Sequence, residues 1–226
     1  MKIKTILVSS VAVATVATTT HSCLAVATSS VGIAVIKQVL LGGISKGVNI
    51  FGNKNAFLQN DLITKAIPDN LKGIYNTLDK IAPNLVTQGK DYIAQAAAYT
   101  VNISEPILNN AVNNLNADDI TKIANGGKGA ATQLLKDKTQ EQLIVAIQPK
   151  VNEKLNEFGI VKTMNTALQG NNLLGGLLGN NNSANSGNNS ISRLASEQLV
   201  NGMFNIIEDY EKQNSFQIID ALQKSK

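Results

Sequence analysis

Cysteine and histidine are nearly missing from this 226-residue chain: Cys23 and His21 are the sole examples, and both fall among the first 23 positions. The remainder therefore cannot assemble Ser-His or Cys-His nucleophilic machinery, a zinc site built from His or Cys, or an internal disulfide. Chemistry beyond Cys23 would rest on carboxylates, Lys, Ser, Thr or Tyr. Tryptophan is absent, arginine occurs once, at Arg193, and charged residues make up only 16% of the chain. Arginine is the residue that recognises phosphate and base edges bidentately, so nucleic acid is not an expected partner. Lys2 and Lys4 supply half of the formal net charge of +4, which leaves the rest close to neutral and gives a polyanion little to bind. A domain with no disulfide must hold itself together by packing, which favours helices around a continuous apolar core.

What is present first is an address. Lys2 and Lys4 precede a stretch, 5–36, with no Asp, Glu, Lys or Arg, and 6–17 (ILVSSVAVATVA) form an apolar run followed by small residues. Residues 1–27 therefore read as an export signal. Cys23 follows the small residue Ser22, where a bacterial lipoprotein carries its diacylglyceryl group. The site departs from the usual lipobox, which has Leu three places before the Cys, where this chain has Thr20 and then His21. A lone Cys this close to the apolar run still favours lipidation. The competing route is cleavage after Ala27, within Ala25-Val26-Ala27, to release a soluble product. An uncleaved membrane helix is less favoured, because Thr15, Thr18 to Thr20, His21 and Ser22 interrupt the run before about 20 apolar residues accumulate.

Positions 28–226 show apolar residues at helical spacing and almost no strand-like alternation, which predicts an all-α fold, a single multi-helix bundle-like domain. A first helix is expected over 31–50, weakened midway by Gly42-Gly43. The segment 61–67 has some β-branched alternation and is expected to be extended; Pro68 and Asp69 then open a helix. Pro83 opens another to about Val101, rich in alanine between Ala94 and Ala98, and Ser104-Glu105-Pro106 restarts the chain with a cap. Asn116 caps a helix whose first turn carries Asp118 and Asp119 and which stops at Asn125-Gly126. Thr139-Gln140-Glu141-Gln142 has the form of a capping box, leading into a helix with Leu143, Ile147, Val151, Leu155 and Phe158 on one face and Pro149 inside. Residues 170–190 are dominated by Asn and Gly without charge, the composition of a disordered, flexible loop. Helix is expected to resume near Ile191, with Ala195, Leu199, Met203, Ile206 and Tyr210 in register, and a tail helix over 216–222.

One segment has the form of a binding turn. In 126–132 (GGKGAAT), glycines before a helix start expose backbone N–H groups to an anion and Lys128 adds charge, making Gly126, Gly127, Lys128 and Gly129 the candidate anion or ligand turn. The spacing is not that of a phosphate loop, which needs a lysine after its last glycine and a preceding strand, so a tight helix-to-helix joint is the competing role. A DNA-binding helix-hairpin-helix is disfavoured by the missing arginine. Asp118-Asp119 is explained by first-turn capping, since a calcium loop spreads its acids over about 12 residues. Glu208, Asp209 and Glu211 are expected on a solvated helix face. No residue is identified as catalytic, no metal site is expected, and no cofactor is expected.

From about position 40 to 210, the order of elements resembles a bacterial family called domain of unknown function 4197. The most specific stretch is Ala111-Val112, Leu115 to Ile120, Ile123, Asn125-Gly126, Ala130-Ala131-Thr132 and Lys138-Thr139, continued by Pro149, Leu155 and Gly159. The family's polar Asn-Arg-Ala-Ala-Glu signature corresponds here to Gln95-Ala96-Ala97-Ala98-Tyr99, its aromatic pair after Ala-Ala-Thr to Leu134-Leu135, and its Arg-Pro-containing tail is shortened. The resemblance implies an exported helical fold and supplies no catalytic residues. The expectation is a lipid-anchored protein of a bacterial envelope, periplasm-facing or on the outer membrane, or else soluble in the periplasm or secreted. Its role would be non-enzymatic binding or structure, with the membrane as a partner through the anchor and an envelope protein as another. A hydrolase or lipid-modifying enzyme would instead show a buried polar pocket at the 126–132 turn, and a carrier of an apolar ligand a large cavity between helices.

Overall fold

The computed structural model describes residues 30–169 and 184–223. The expected export signal at 1–27, with His21 and Cys23, and positions 170–183 of the Asn/Gly-rich segment lie outside the described residues. Ten helices are described: α1 (Ser30–Phe51), α2 (Lys54–Leu58), α3 (Asp61–Lys65), α4 (Asp69–Ile81), α5 (Pro83–Asn113), α6 (Ala117–Gly126), α7 (Ala130–Glu157), α8 (Ile160–Gln169), α9 (Ala184–Gln213) and α10 (Ser215–Gln223). The fold is all-α, with no strand among the described residues.

Short polar residues set many of the boundaries. The Asn53 side chain accepts from the Ala56 N–H, and that of Asn60 from the N–H groups of Leu62 and Ile63, satisfying donors the first helical turn leaves open. Asn60 thereby turns 61–65 into a helix where an extended segment was expected; the local cap outweighs the β-branched pattern. Pro68 and Pro83 stand at the starts of α4 and α5, as expected. Ser104-Glu105-Pro106 does not restart the chain: α5 runs through it, with Pro106 inside. The proline removes the donor for the Asn102 carbonyl, and both residues are exposed, so water can take that carbonyl's bond. Thr139 likewise caps nothing. It lies in the middle of α7, its hydroxyl donating to the Leu135 carbonyl one turn back at 2.7 Å. Helix α9 begins at Ala184, so 184–190 belong to its first turns rather than to a loop.

Two long helices lie at the centre, α5 against α7 and α1, and α9 against α7, α1 and α3. Polar contacts fix the register of α9 on α7: Thr132 meets Glu211, Gln140 meets Asn201, and Asn152 meets Ser192, so the two run antiparallel. Helix α9 is also antiparallel to α1, where the glycines explain the pairing. A side chain at Gly42 would meet Tyr210, one at Gly43 the backbone of Ile207, and one at Gly47 the thioether of Met203. Gly42-Gly43 therefore does not weaken α1; it is the face onto which α9 packs closely. Helix α1 is long and apolar enough to cross a membrane, yet Ile36, Val39, Leu40, Ile44 and Phe51 are buried in the shared apolar core, the behaviour of a core helix.

Candidate functional site

The 126–132 turn joins α6 to α7, and each glycine in it has a separate reason. Gly127 and Gly129 take φ of +78° and +90°, a region other residues enter at a steric cost. Gly129 is also approached by α9, and a side chain there would lie 2.9 Å from Glu208 Oε1. Lys128 is exposed and Gly126 ends α6. The chain thus reaches α7 with its first N–H groups bare and pointing toward the last turns of α9.

Those N–H groups hold an anion, and it is the protein's own. Glu211, only 2% exposed, accepts from the N–H of Gly129 at 3.0 Å and of Ala131 at 3.2 Å through Oε1. Through Oε2 it accepts from the Thr132 N–H at 2.7 Å and from the Thr132 hydroxyl at 2.6 Å. A carboxylate at a helix N-terminus also meets the positive end of the helix dipole. Of the four residues predicted for the turn, Gly129 supplies a donor, while Gly126 and Lys128 line an open depression of about 440 Å³ beside it. Glu208 and Asp209 are half-buried and paired, with Lys212 at 2.7 Å and Lys46 at 3.2 Å. The expected solvated face therefore holds for neither Glu211 nor, fully, its neighbours. Antiparallel packing on α7 turns Glu211 inward.

Just before the turn, Asn116 and Asp119 form a reciprocal cap: the Asp119 N–H donates to the Asn116 side chain at 3.0 Å and the Asn116 N–H to Asp119 at 3.1 Å. Buried Asp119 also accepts from Lys138 at 2.8 Å, tying α6 to α7. Burial pushes its carboxyl pKa up, but the hydrogen bonds from Lys138 and the Asn116 N–H, with the charges of Lys138 and Lys122, outweigh that and hold it below its ordinary value. The unfolded chain takes up this proton near pH 3.9 or so, the folded chain only at lower pH. Asp119 thus stabilises the fold above about pH 4 and loses that effect as pH falls through its folded-state pKa. Asp119→Asn is expected to cost about 1 kcal/mol at neutral pH and to flatten the acid limb of stability measured by urea unfolding; an acid limb identical to wild type would refute this role.

Among the described residues no group of three or more His, Cys, Asp or Glu could hold a metal ion. Tyr75 is buried, its hydroxyl has no hydrogen-bond partner among the described residues, and burial pushes its pKa well up. It packs beside Gly89 and Met164, away from the 126–132 turn.

No curated protein and no solved structure matches the chain. The model of a family described as Protein of unknown function (DUF4197) matches residues 27–214, which takes in every helix from α1 to α9 and both partners of the Glu211 contact. The chain belongs to the DUF4197 family.

Proposed function

We propose that this is an exported, lipid-anchored helical protein of a bacterial envelope with a non-enzymatic binding or structural role. The observation that carries the non-enzymatic part is the closure of the glycine turn. Its donors at Gly129, Ala131 and Thr132 are spent on Glu211, so the one segment with the form of an anion site works as a joint between α6, α7 and α9. The anchor is supported by the uncharged stretch 5–36, by Cys23 after Ser22, and by the start of α1 at Ser30, seven positions after Cys23 in sequence. Acyl chains on Cys23 would hold the protein at a membrane surface and leave its helical faces to meet envelope partners.

The test is the intact mass of the protein from the membrane fraction of its host, beside a Cys23→Ala variant. The expected result is a mature N-terminus at Cys23 carrying acyl mass, and loss of the variant from the membrane. A soluble product starting at Thr28 overturns the anchor and leaves a free periplasmic or secreted protein.

A further inference from the structure

Helix α10 has two unlike sides. Ser215 and Ile218 are buried against the domain, whereas Phe216 is 75% exposed and Ile219 39% exposed. Phe216 is the most exposed of the large apolar side chains described. The glycine contacts show where this surface lies. Passing along α9 from Met203 to Ile207 to Tyr210, the facing residue on α1 moves from Gly47 to Gly43 to Gly42, toward the start of α1. Helix α10 follows the end of α9 and packs on α1, and Val31, in the first turn of α1, is 62% exposed. Phe216, Ile219 and Val31 are thus at the end of the molecule from which the chain leads back to Cys23. Six residues lie between Cys23 and Ser30, and the seven steps from one to the other span at most about 25 Å.

We propose that α10 is a membrane-contacting foot, whose Phe216 and Ile219, with Val31, enter the interface of the bilayer that Cys23 is tethered to. This rests on the acylation proposed above. A tether makes the second contact intramolecular, so a small apolar patch suffices to be occupied. The effect is orientation: the domain stands on the end that carries α10 and the start of α1, with the glycine turn beside the last turns of α9. Lys224 and Lys226 follow the helix in sequence, a charge sign that suits an anionic lipid surface.

The chain contains no tryptophan, so Phe216→Trp places a single indole on the patch. The acylated full chain is reconstituted on phosphatidylethanolamine and phosphatidylglycerol vesicles, with and without brominated acyl chains, and Val145→Trp on the exposed middle of α7 serves as control. The foot requires blue-shifted emission that brominated lipid lowers about two-fold or more, with the control emitting as in water and unquenched. Ile219→Trp gives an independent reading if Phe216→Trp disturbs the fold, which circular dichroism checks. Protein that carries acyl mass and floats with the vesicles, but whose indole at both positions emits as in water, overturns the foot and leaves the anchor standing. A blue shift without bromine quenching assigns the patch to a second copy or another protein surface and also overturns it. Chain without acyl mass that fails to float overturns anchor and foot together.

Discussion

Replacing Glu211 with alanine is expected to lower the free energy of unfolding by about 4 kcal/mol, a large share of the margin of an ordinary domain. Three backbone N–H groups and the Thr132 hydroxyl converge on this carboxylate in a buried setting, and removing it takes away the acceptor that all four share. Hydrogen bonds to a charged acceptor are each worth about 1.5–3 kcal/mol, though not additively. Glu211→Gln keeps the size and one acceptor but turns an NH₂ group toward donors, so it is expected to cost about 3 kcal/mol. Thr132→Val, which removes one of the four contacts, should cost about 1–2 kcal/mol. The order Ala, Gln, then Thr132→Val in urea unfolding is the check, and a Glu211→Gln variant as stable as wild type would sink the account of the turn. Formate, compared with chloride at equal ionic strength, should recover part of the loss in Glu211→Ala, because a small carboxylate can occupy the same donors.

The second large effect is expected on α1, and it separates two glycines that look alike in sequence. A Cβ at Gly43 would lie 3.1 Å from the Cα of Ile207, so a helix backbone must move; at Gly47 the obstacle is the flexible end of Met203. Alanine gains about 1 kcal/mol over glycine in a helix interior, against about 1–3 kcal/mol for overpacking. Gly43→Ala should therefore lose about 1 kcal/mol net and Gly43→Val about 3 kcal/mol or more, with Gly47→Ala close to neutral because methionine repacks easily. Melting temperatures of the three variants test this. Equal behaviour of Gly43→Ala and Gly47→Ala would show that α9 is not seated as described.

Both cases mark where sequence reading stops. The helical class, the family and the ends of α1, α4 and α6 are legible from short-range signals: apolar spacing, Pro68, Pro83 and the Asn116 cap. Pro106 and Thr139 mislead because a proline or a hydroxyl one turn from exposed or carbonyl-bearing backbone is tolerated inside a long, well-packed helix. The turn at 126–132 is legible as an anion cradle, down to the bare N–H groups. Its anion is not, since Glu211 sits 79 residues beyond Thr132 and only the antiparallel register of α7 and α9 brings them together. A carboxylate beside Tyr210 in a run of otherwise half-exposed acids carries no local mark of burial. The glycines of α1 mislead by the same route: a local helix weakener becomes a seat once a distant helix arrives.

The central place of α9 also sets a schedule. Its partners on α1 come 163 positions earlier, as between Lys46 and Asp209, so during synthesis the first helix waits for almost the last. Until then its glycine face is bare and the donors of α7 lack the Glu211 acceptor, so the packing that α9 completes comes last. A chain ordered in this way completes its packing only once α9 is made, and a chain not yet fully packed is the form that can be threaded through a translocation pore. The same helix order that makes the finished domain interdependent keeps the unfinished one pliable.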